Sequence, residues 1–404
     1  MQEEFNFLKG KIRQYYVEND IPAPEGISKK EFGIGDYGKK ITSRHLAFNS
    51  PTDFNSYLKR ESPFYISYST AFYEFPERRP MAAKNLEGAD LIYEFDADDL
   101  KTGCKEEHDS WKCKCGEFGK GNIELCPKCG LRVEVEEWVC EKCLGAAKQQ
   151  VFSLLKVLNN DFDMNEGIYV NFSGGKGYHV HVRGKYVREL SPPARIELLD
   201  YLTANEISIE LLGFRMDKKI TGCPKPGNLS GWSEKLMSSL IYFFENTDEA
   251  EMVLRTGTSY SAAKKIIADK KKIIEAFNRG SLIAFPGKRG QEFWSSLLNS
   301  FVDDLKIDVD RQTSVDIYKI VRVPETIHGG TGLIAKEIEL DSLKNFNPLK
   351  ETIAFGGESV KIKTSKIPRF YLGEREWGPF DHEEAELPAF AAAYLIARNS
   401  ANLS

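Results

Sequence analysis

The chain has 404 residues and a formal net charge of −5 at pH 7, which is too long for one ordinary core and predicts two or more domains or large insertions. The acidic balance argues against a protein that coats nucleic acid non-specifically, yet it allows a local basic groove. Lys218 and Lys219, Lys264 and Lys265, Lys270 to Lys272, and Lys288 with Arg289 are candidates for such a groove. With 41% hydrophobic and 28% charged residues the composition is that of a soluble globular protein. No apolar run approaches a bilayer-spanning length, and Met1 to Phe5 lack the blocks of a signal peptide, so a cytoplasmic protein is expected.

In chain order, Phe5, Leu8, Ile12, Tyr15 and Tyr16 predict a helix over 3–17, ended by Pro22, Pro24 and Gly26. Residues 64–69 alternate like a strand. Arg44, Arg78 and Arg79 are candidates to reach a phosphate. Over 91–99, Leu91, Tyr93, Phe95 and Ala97 alternate with the rest, the period of a half-buried strand. Residues two apart leave one face of a strand, so Asp96 and Asp98 point the same way. Adjacent carboxylates repel unless a cation sits between them. Mg²⁺ or Mn²⁺ prefers such oxygen ligands and keeps positions free for water and phosphates.

Seven of the eight cysteines fall between Cys104 and Cys143, a crowding that reads as metal binding in a reducing compartment. Cys113-Lys-Cys115 with Cys126-Pro-Lys-Cys129 has the shape of a zinc ribbon. Outside it, Cys104 and His108 pair with Cys140 and Cys143. The reading is a Cys₄ site nested within a Cys₃His site, together eight ligands for one or two structural zinc ions with no open position.

A helix is predicted over 146–158 and a strand over 167–172. The strand runs into Ser173-Gly-Gly-Lys-Gly177, after which His179, His181 and Arg183 share a face. Glycines let backbone N–H groups approach an anion, and Ser173 and Lys176 add donors. A strand follows these glycines, so this is not a Walker motif. The alternative is an ordinary glycine hairpin. A helix over 192–202, a short apolar strand over 207–214, and a helical insertion with helices over 235–244, 250–255 and 261–277 come next. Asp310 then precedes Thr313 or Ser314, either able to cap a helix over 315–323 that ends with Arg322. A loop at His328-Gly-Gly-Thr-Gly332, a strand over 369–372 and a closing helix over 388–398 complete the chain.

The order of these motifs resembles the catalytic small subunit of archaeal and eukaryotic DNA primase, from about residue 11 to 333: a strand with Asp-x-Asp, metal-binding cysteines, Ser173-Gly-x-x-Gly-Tyr-His179, an acid, Arg322-x-Pro and His328-Gly-Gly-x-Gly. The resemblance implies a mixed α/β (α+β) primase core. Residues 1–103, 144–214 and 296–404 would build it, around a zinc-binding insertion at 104–143 and a helical insertion at 215–295. It implies that Asp96, Asp98 and Asp310 bind catalytic Mg²⁺ or Mn²⁺, with Asp308 and Asp316 as fallback choices for the third acid. Ser173, Gly174, Lys176, His179, Arg322 and His328 would bind the triphosphate. Cys104, His108, Cys140 and Cys143 look like the family's zinc site.

Expected partners are a large subunit carrying an iron–sulfur domain, a single-stranded DNA template and nucleoside triphosphates. The expected reaction is primer synthesis without a pre-existing end. Three departures stand out. Gly175 and Lys176 replace an arginine common in relatives, which keeps charge but loses bidentate phosphate geometry. His45 stands where relatives often carry an acid, and the Cys113 to Cys129 ribbon looks like an addition. Two other readings compete: a repair polymerase of the same fold that extends ends without starting them, and a zinc-ribbon module that grips nucleic acid with its acids incidental.

Overall fold

The computed structural model describes residues 2–216, 221–283 and 288–404. Lys218 and Lys219 lie outside the described residues, as do the side chains of Lys288 and Arg289. The chain divides into two compact units, one of Met1–Phe152, Asn165–Ile196 and Asp308–Ser404, the other of Ser153–Met164 and Glu197–Ile307. Helices and several sheets are mixed throughout, so the fold is mixed α/β.

The first unit carries two four-stranded antiparallel sheets built from eight strands. These are β1 (Phe32–Asp36), β2 (Lys39–Leu46), β3 (Tyr65–Ser69), β4 (Leu91–Asp96), β5 (Ile168–Phe172), β6 (Gly177–Val182), β7 (Ile320–Arg322) and β8 (Glu337–Ile338). One sheet has the order β7-β3-β1-β2 and the other β8-β5-β6-β4. Every residue of β3 and β6 is buried, which suits their aromatic and β-branched content. The helix Gln2–Glu18 buries Leu8, Ile12, Tyr15 and Tyr16, the residues its apolar rhythm marks. The helix Ala389–Ala397 is buried at every residue but Phe390.

Three sequence expectations are corrected. Residues 207–214 form turns rather than a strand, and the chain becomes extended only at Arg215–Met216, which pairs with Thr221–Gly222. The helix expected over 261–277 is two helices, Tyr260–Ala268 and Lys270–Asn278, which meet at Asp269. No helix covers 315–323. Asp310, not Thr313 or Ser314, caps a short helix at Arg311–Val315, and Ile320, Val321 and Arg322 pair with β3 as β7. Two β-branched residues beside a fully buried strand gain more from cross-strand packing than from one more helical turn.

The second unit is helical. Its core gathers Leu240, Phe243, Phe244, Phe277, Trp294 and Leu297, and Cys223 is buried within the same cluster, which accounts for that cysteine without a metal. Among the described residues no helix is long and apolar enough to cross a membrane.

Candidate active site

β4 ends at Asp96, and the chain turns through Ala97, Asp98 and Asp99. Carboxylate oxygens of Asp96, Asp98 and Asp99 lie within 4.8 Å of one another. Burial pushes the Asp96 carboxyl up to about 7, and the charges of Asp98 and Glu94 push it further the same way. Oδ1 of Asp98 is buried with no hydrogen-bond partner. An orphaned oxygen among crowded acids is what a hard divalent cation satisfies, so these residues fit one.

The third acid comes from far along the chain. The Asp310 N–H donates to Glu94 O at 3.3 Å, which sets it beside β4, and its charge reaches Asp99. Its carboxylate caps the helix Arg311–Val315, accepting from Gln312 N at 2.9 Å, Thr313 N at 3.2 Å and Thr313 Oγ1 at 2.6 Å. A carboxylate has about four lone-pair sites, so room for a cation remains. Asp310 thus stands next to the acids without entering their close cluster, where Asp99 has the third place. Neither fallback choice, Asp308 nor Asp316, is among the clustered acids, and the Asp316 carboxylate accepts from Tyr318 N.

The glycine turn between β5 and β6 is wedged against these acids. Ala97 N–H donates to Lys176 O at 3.1 Å, and Gly177 lies opposite Asp96 in the ladder. A Cβ on Gly177 would sit 1.9 Å from Phe95 O and 2.8 Å from Asp96 Oδ1. Gly177→Ala is therefore expected to cost about 3 kcal/mol of stability, the upper part of the usual overpacking range, and to displace Asp96. Urea unfolding together with Mn²⁺ binding would measure both. The amides of Gly175 and Gly177 donate inward to Ser173 Oγ at 3.3 and 3.2 Å, so those two do not face an external anion.

A second glycine loop closes on the first. Thr331 Oγ1 donates to Gly174 O at 2.5 Å, and His328 Nδ1 lies 3.1 Å from Thr331 Oγ1. Cβ atoms added at Gly174 and Gly175 would lie 2.7 Å from His328 Cβ and 3.0 Å from its Nε2, so only glycines admit the imidazole here. Burial first, and then the charge of Arg322, holds His328 and His179 below the usual histidine range. Both are neutral near pH 7. His179 Nδ1 and Arg322 Nη1 are buried with no hydrogen-bond partner. The Arg322 guanidinium lies 4.8 Å from the centre of the Tyr65 ring and has no ion-pair partner among the described residues. A buried guanidinium without an anion costs free energy until one arrives.

Some expected donors are engaged elsewhere. His181 Nε2 bonds Asn171 Oδ1 at 3.0 Å, and its ring stacks on Tyr68. Arg44 pairs with Glu31, Arg78 lies over Phe75, and Arg79 donates to Arg44 O. Sequence reasoning missed Asp99 and three further charged groups. Glu94 sits 3.7 Å from His179 Nε2 and 3.5 Å from Lys319. The charge of Lys40, on β2, acts on Asp96, His179 and His328. The alternation that marked Asp96 and Asp98 also includes Glu94.

Both cysteine sets assemble as the spacing predicts: Cys104, His108, Cys140 and Cys143 in one group, Cys113, Cys115, Cys126 and Cys129 in the other. Sulfur pairs lie at 3.4 Å (Cys104 and Cys143), 3.7 Å (Cys140 and Cys143), 3.5 Å (Cys113 and Cys129) and 3.8 Å (Cys115 and Cys126). A tetrahedron with Zn–S near 2.3 Å has edges of about 3.8 Å, so each set fits a zinc ion. His108 Nε2 faces Cys143 Sγ at 3.2 Å, while its Nδ1 is held by Asp109 Oδ1 at 2.8 Å, the outer support a metal-binding imidazole uses. The ribbon is a three-stranded sheet of Ser110–Lys112, Phe118–Lys120 and Glu134–Glu136.

The family described as DNA primase small subunit matches residues 134–340. The chain is 28% identical over 425 residues to the DNA primase small subunit PriS of Methanothrix thermoacetophila, covering 98% of both chains. It is 27% identical over 408 residues to the PriS of Nitrosopumilus maritimus, covering 100% of both. To the PriS of Archaeoglobus fulgidus it is 28% identical over 402 residues, again covering 98% of both.

Proposed function

This chain belongs to the DNA primase small-subunit family, and on that premise we propose that it is a primer-synthesising nucleotidyltransferase, the catalytic subunit of a primase. It would start short primers de novo on single-stranded DNA from nucleoside triphosphates. The observation that carries the reading is the pairing of two unsatisfied groups around one glycine turn. The orphaned Asp98 oxygen seeks a cation, and the orphaned Arg322 Nη1 seeks an acceptor.

Asp96, Asp98 and Asp310 would hold the divalent cations. When bound, these supply Lewis acidity to an attacking 3′-hydroxyl and a leaving pyrophosphate. Arg322 would neutralise phosphate oxygens from a site already desolvated, so it pays little reorganisation when charge grows there. His179 would donate from Nδ1 once a phosphate draws a proton to that nitrogen, and His328 presents Nε2 beside Gly175. Ser173, with two inward amides on its oxygen, keeps its own hydroxyl hydrogen to give. Gly174 lets His328 approach, and Lys176 adds a mobile charge at the turn. The cysteine sites would brace the fold with zinc. The small-subunit name of the relatives suggests a larger partner subunit, for which an iron–sulfur domain is the family expectation.

The full chain, incubated with circular single-stranded DNA, nucleotides and Mg²⁺ or Mn²⁺, should yield short labelled products. Extension of an annealed primer with no products on the bare circle would favour the repair-polymerase reading instead. Arg322→Ala and His179→Ala are each expected to raise the nucleotide KM about tenfold or more, since each removes a charged or buried hydrogen-bonding partner. Circular dichroism should show that both variants stay folded. An unchanged KM would take both residues out of the nucleotide site.

A further inference from the structure

Lys176 has two anchors. Its ammonium bonds Asp98 Oδ2 at 2.5 Å and Glu137 Oε2 at 3.0 Å. Its backbone is fixed, because Lys176 O accepts from Ala97 N, so only the four-carbon stem can move. Glu137 is fixed as well. Its carbonyl accepts from Arg398 Nη2 at 3.0 Å, and the next residue's N–H donates to Asp109 Oδ1 at 2.9 Å. The carboxylate that Lys176 neutralises is the one whose other oxygen is left without a partner.

We propose that Lys176 is a built-in counter-ion that competes with the divalent cation for Asp98, and that Glu137 is the positioning residue that receives the ammonium when the cation arrives. The inference rests on Asp98 being a cation ligand, as in the functional reading above. An ammonium within hydrogen-bond distance of Asp98 lowers the free energy of the cation-free state and so weakens cation binding. Glu137 offsets this by giving the displaced ammonium a second carboxylate at no change of backbone. The lysine then stays beside the turn, where a triphosphate can use it. An arginine in the same place would hold Asp98 through a planar fork and release it less readily.

The test is Mn²⁺ binding to the full chain without nucleotide, followed by electron paramagnetic resonance and calorimetry. Cysteine sites disfavour Mn²⁺, so the signal reports the acids. Lys176→Met should tighten Mn²⁺ binding, and Glu137→Gln should weaken it, each by about three- to tenfold, the scale of a half-exposed ion pair. In the double variant, Glu137→Gln should have no further effect, because the ammonium it receives is gone. If Glu137→Gln weakens Mn²⁺ binding equally with and without Lys176, Glu137 acts by charge alone and the proposal is overturned. If Lys176→Met leaves the affinity unchanged or lowers it, the competition does not exist. Asp98→Asn is the control for the underlying reading: should it bind Mn²⁺ as well as the parent chain, Asp98 is no ligand and the functional reading itself fails.

Discussion

Replacing Asp96 and Asp98 together by asparagine is expected to abolish nucleotide incorporation, by about a thousandfold or more, while leaving the cation-free protein more stable. The two effects have one cause. Like charges are held together in a partly desolvated turn, a cost that a bound cation would offset. The sign of the stability change follows from Asp96, whose carboxyl burial and its acidic neighbours raise to about 7. In the unfolded chain an aspartate titrates near 3.9. Between about pH 4 and pH 7 the folded state therefore binds more protons than the unfolded one, and stability falls as pH rises through that window. At pH 8 without divalent cation the asparagine variant should melt above the parent chain. At pH 4 the two curves should converge. Mg²⁺ or Mn²⁺ should raise the melting temperature of the parent at pH 8 and leave the variant where it was. A parent chain that melts higher than the variant at pH 8 without cation would mean that internal counter-charges such as Lys176 already hold the acids, and the repulsion argument fails.

Local chemistry was legible in the sequence where one short stretch carries the whole signal. The alternation over 91–99, the glycine turn at 173–177 and the cysteine spacings each describe a strand end, a hairpin or a knuckle that forms from its own residues. They stand in the structure as read. What the sequence hid depends on partners distant along the chain. Nothing local says that Ile320 to Arg322 will be strand rather than helix, because the reason is β3, about 250 residues earlier. Nor does the sequence show that His181 is consumed by Asn171 while His179 keeps a free nitrogen. The same holds for Lys40 and Lys319, whose charges reach the site only because two sheets bring them there. Domain limits are the hardest to read, since the second unit takes in 153–164, which includes the end of a helix that begins in the first.

The two cysteine sites should respond very differently to loss of metal. Cys143→Ser is expected to abolish cooperative folding or lower the melting temperature by about 10 °C or more, while Cys129→Ser should shift it by only a few degrees. Both estimates are scaled from the usual dependence of melting temperature on stability. Cys143 is 1% exposed and stands in the first turn of the helix Glu141–Phe162, which then buries Leu144, Ala147 and Val151. Its partner Cys104 precedes Lys105, whose ammonium donates to Asp98 O at 2.5 Å. A zinc ion there would tie the entry of a core helix to the end of β4, and in such sites the free energy of metal binding is free energy of folding. The ribbon has only a small core of its own, Trp111 with Cys113 and Cys126, and Cys115 and Cys129 are exposed. Losing its ion should unravel the ribbon and little else. Metal analysis should find two zinc ions per parent chain and one in either variant, with calorimetry giving the melting temperatures. Should Cys129→Ser lower the main transition as far as Cys143→Ser does, the ribbon is part of the folding core, and its appearance as an appended loop misrepresents the energetics.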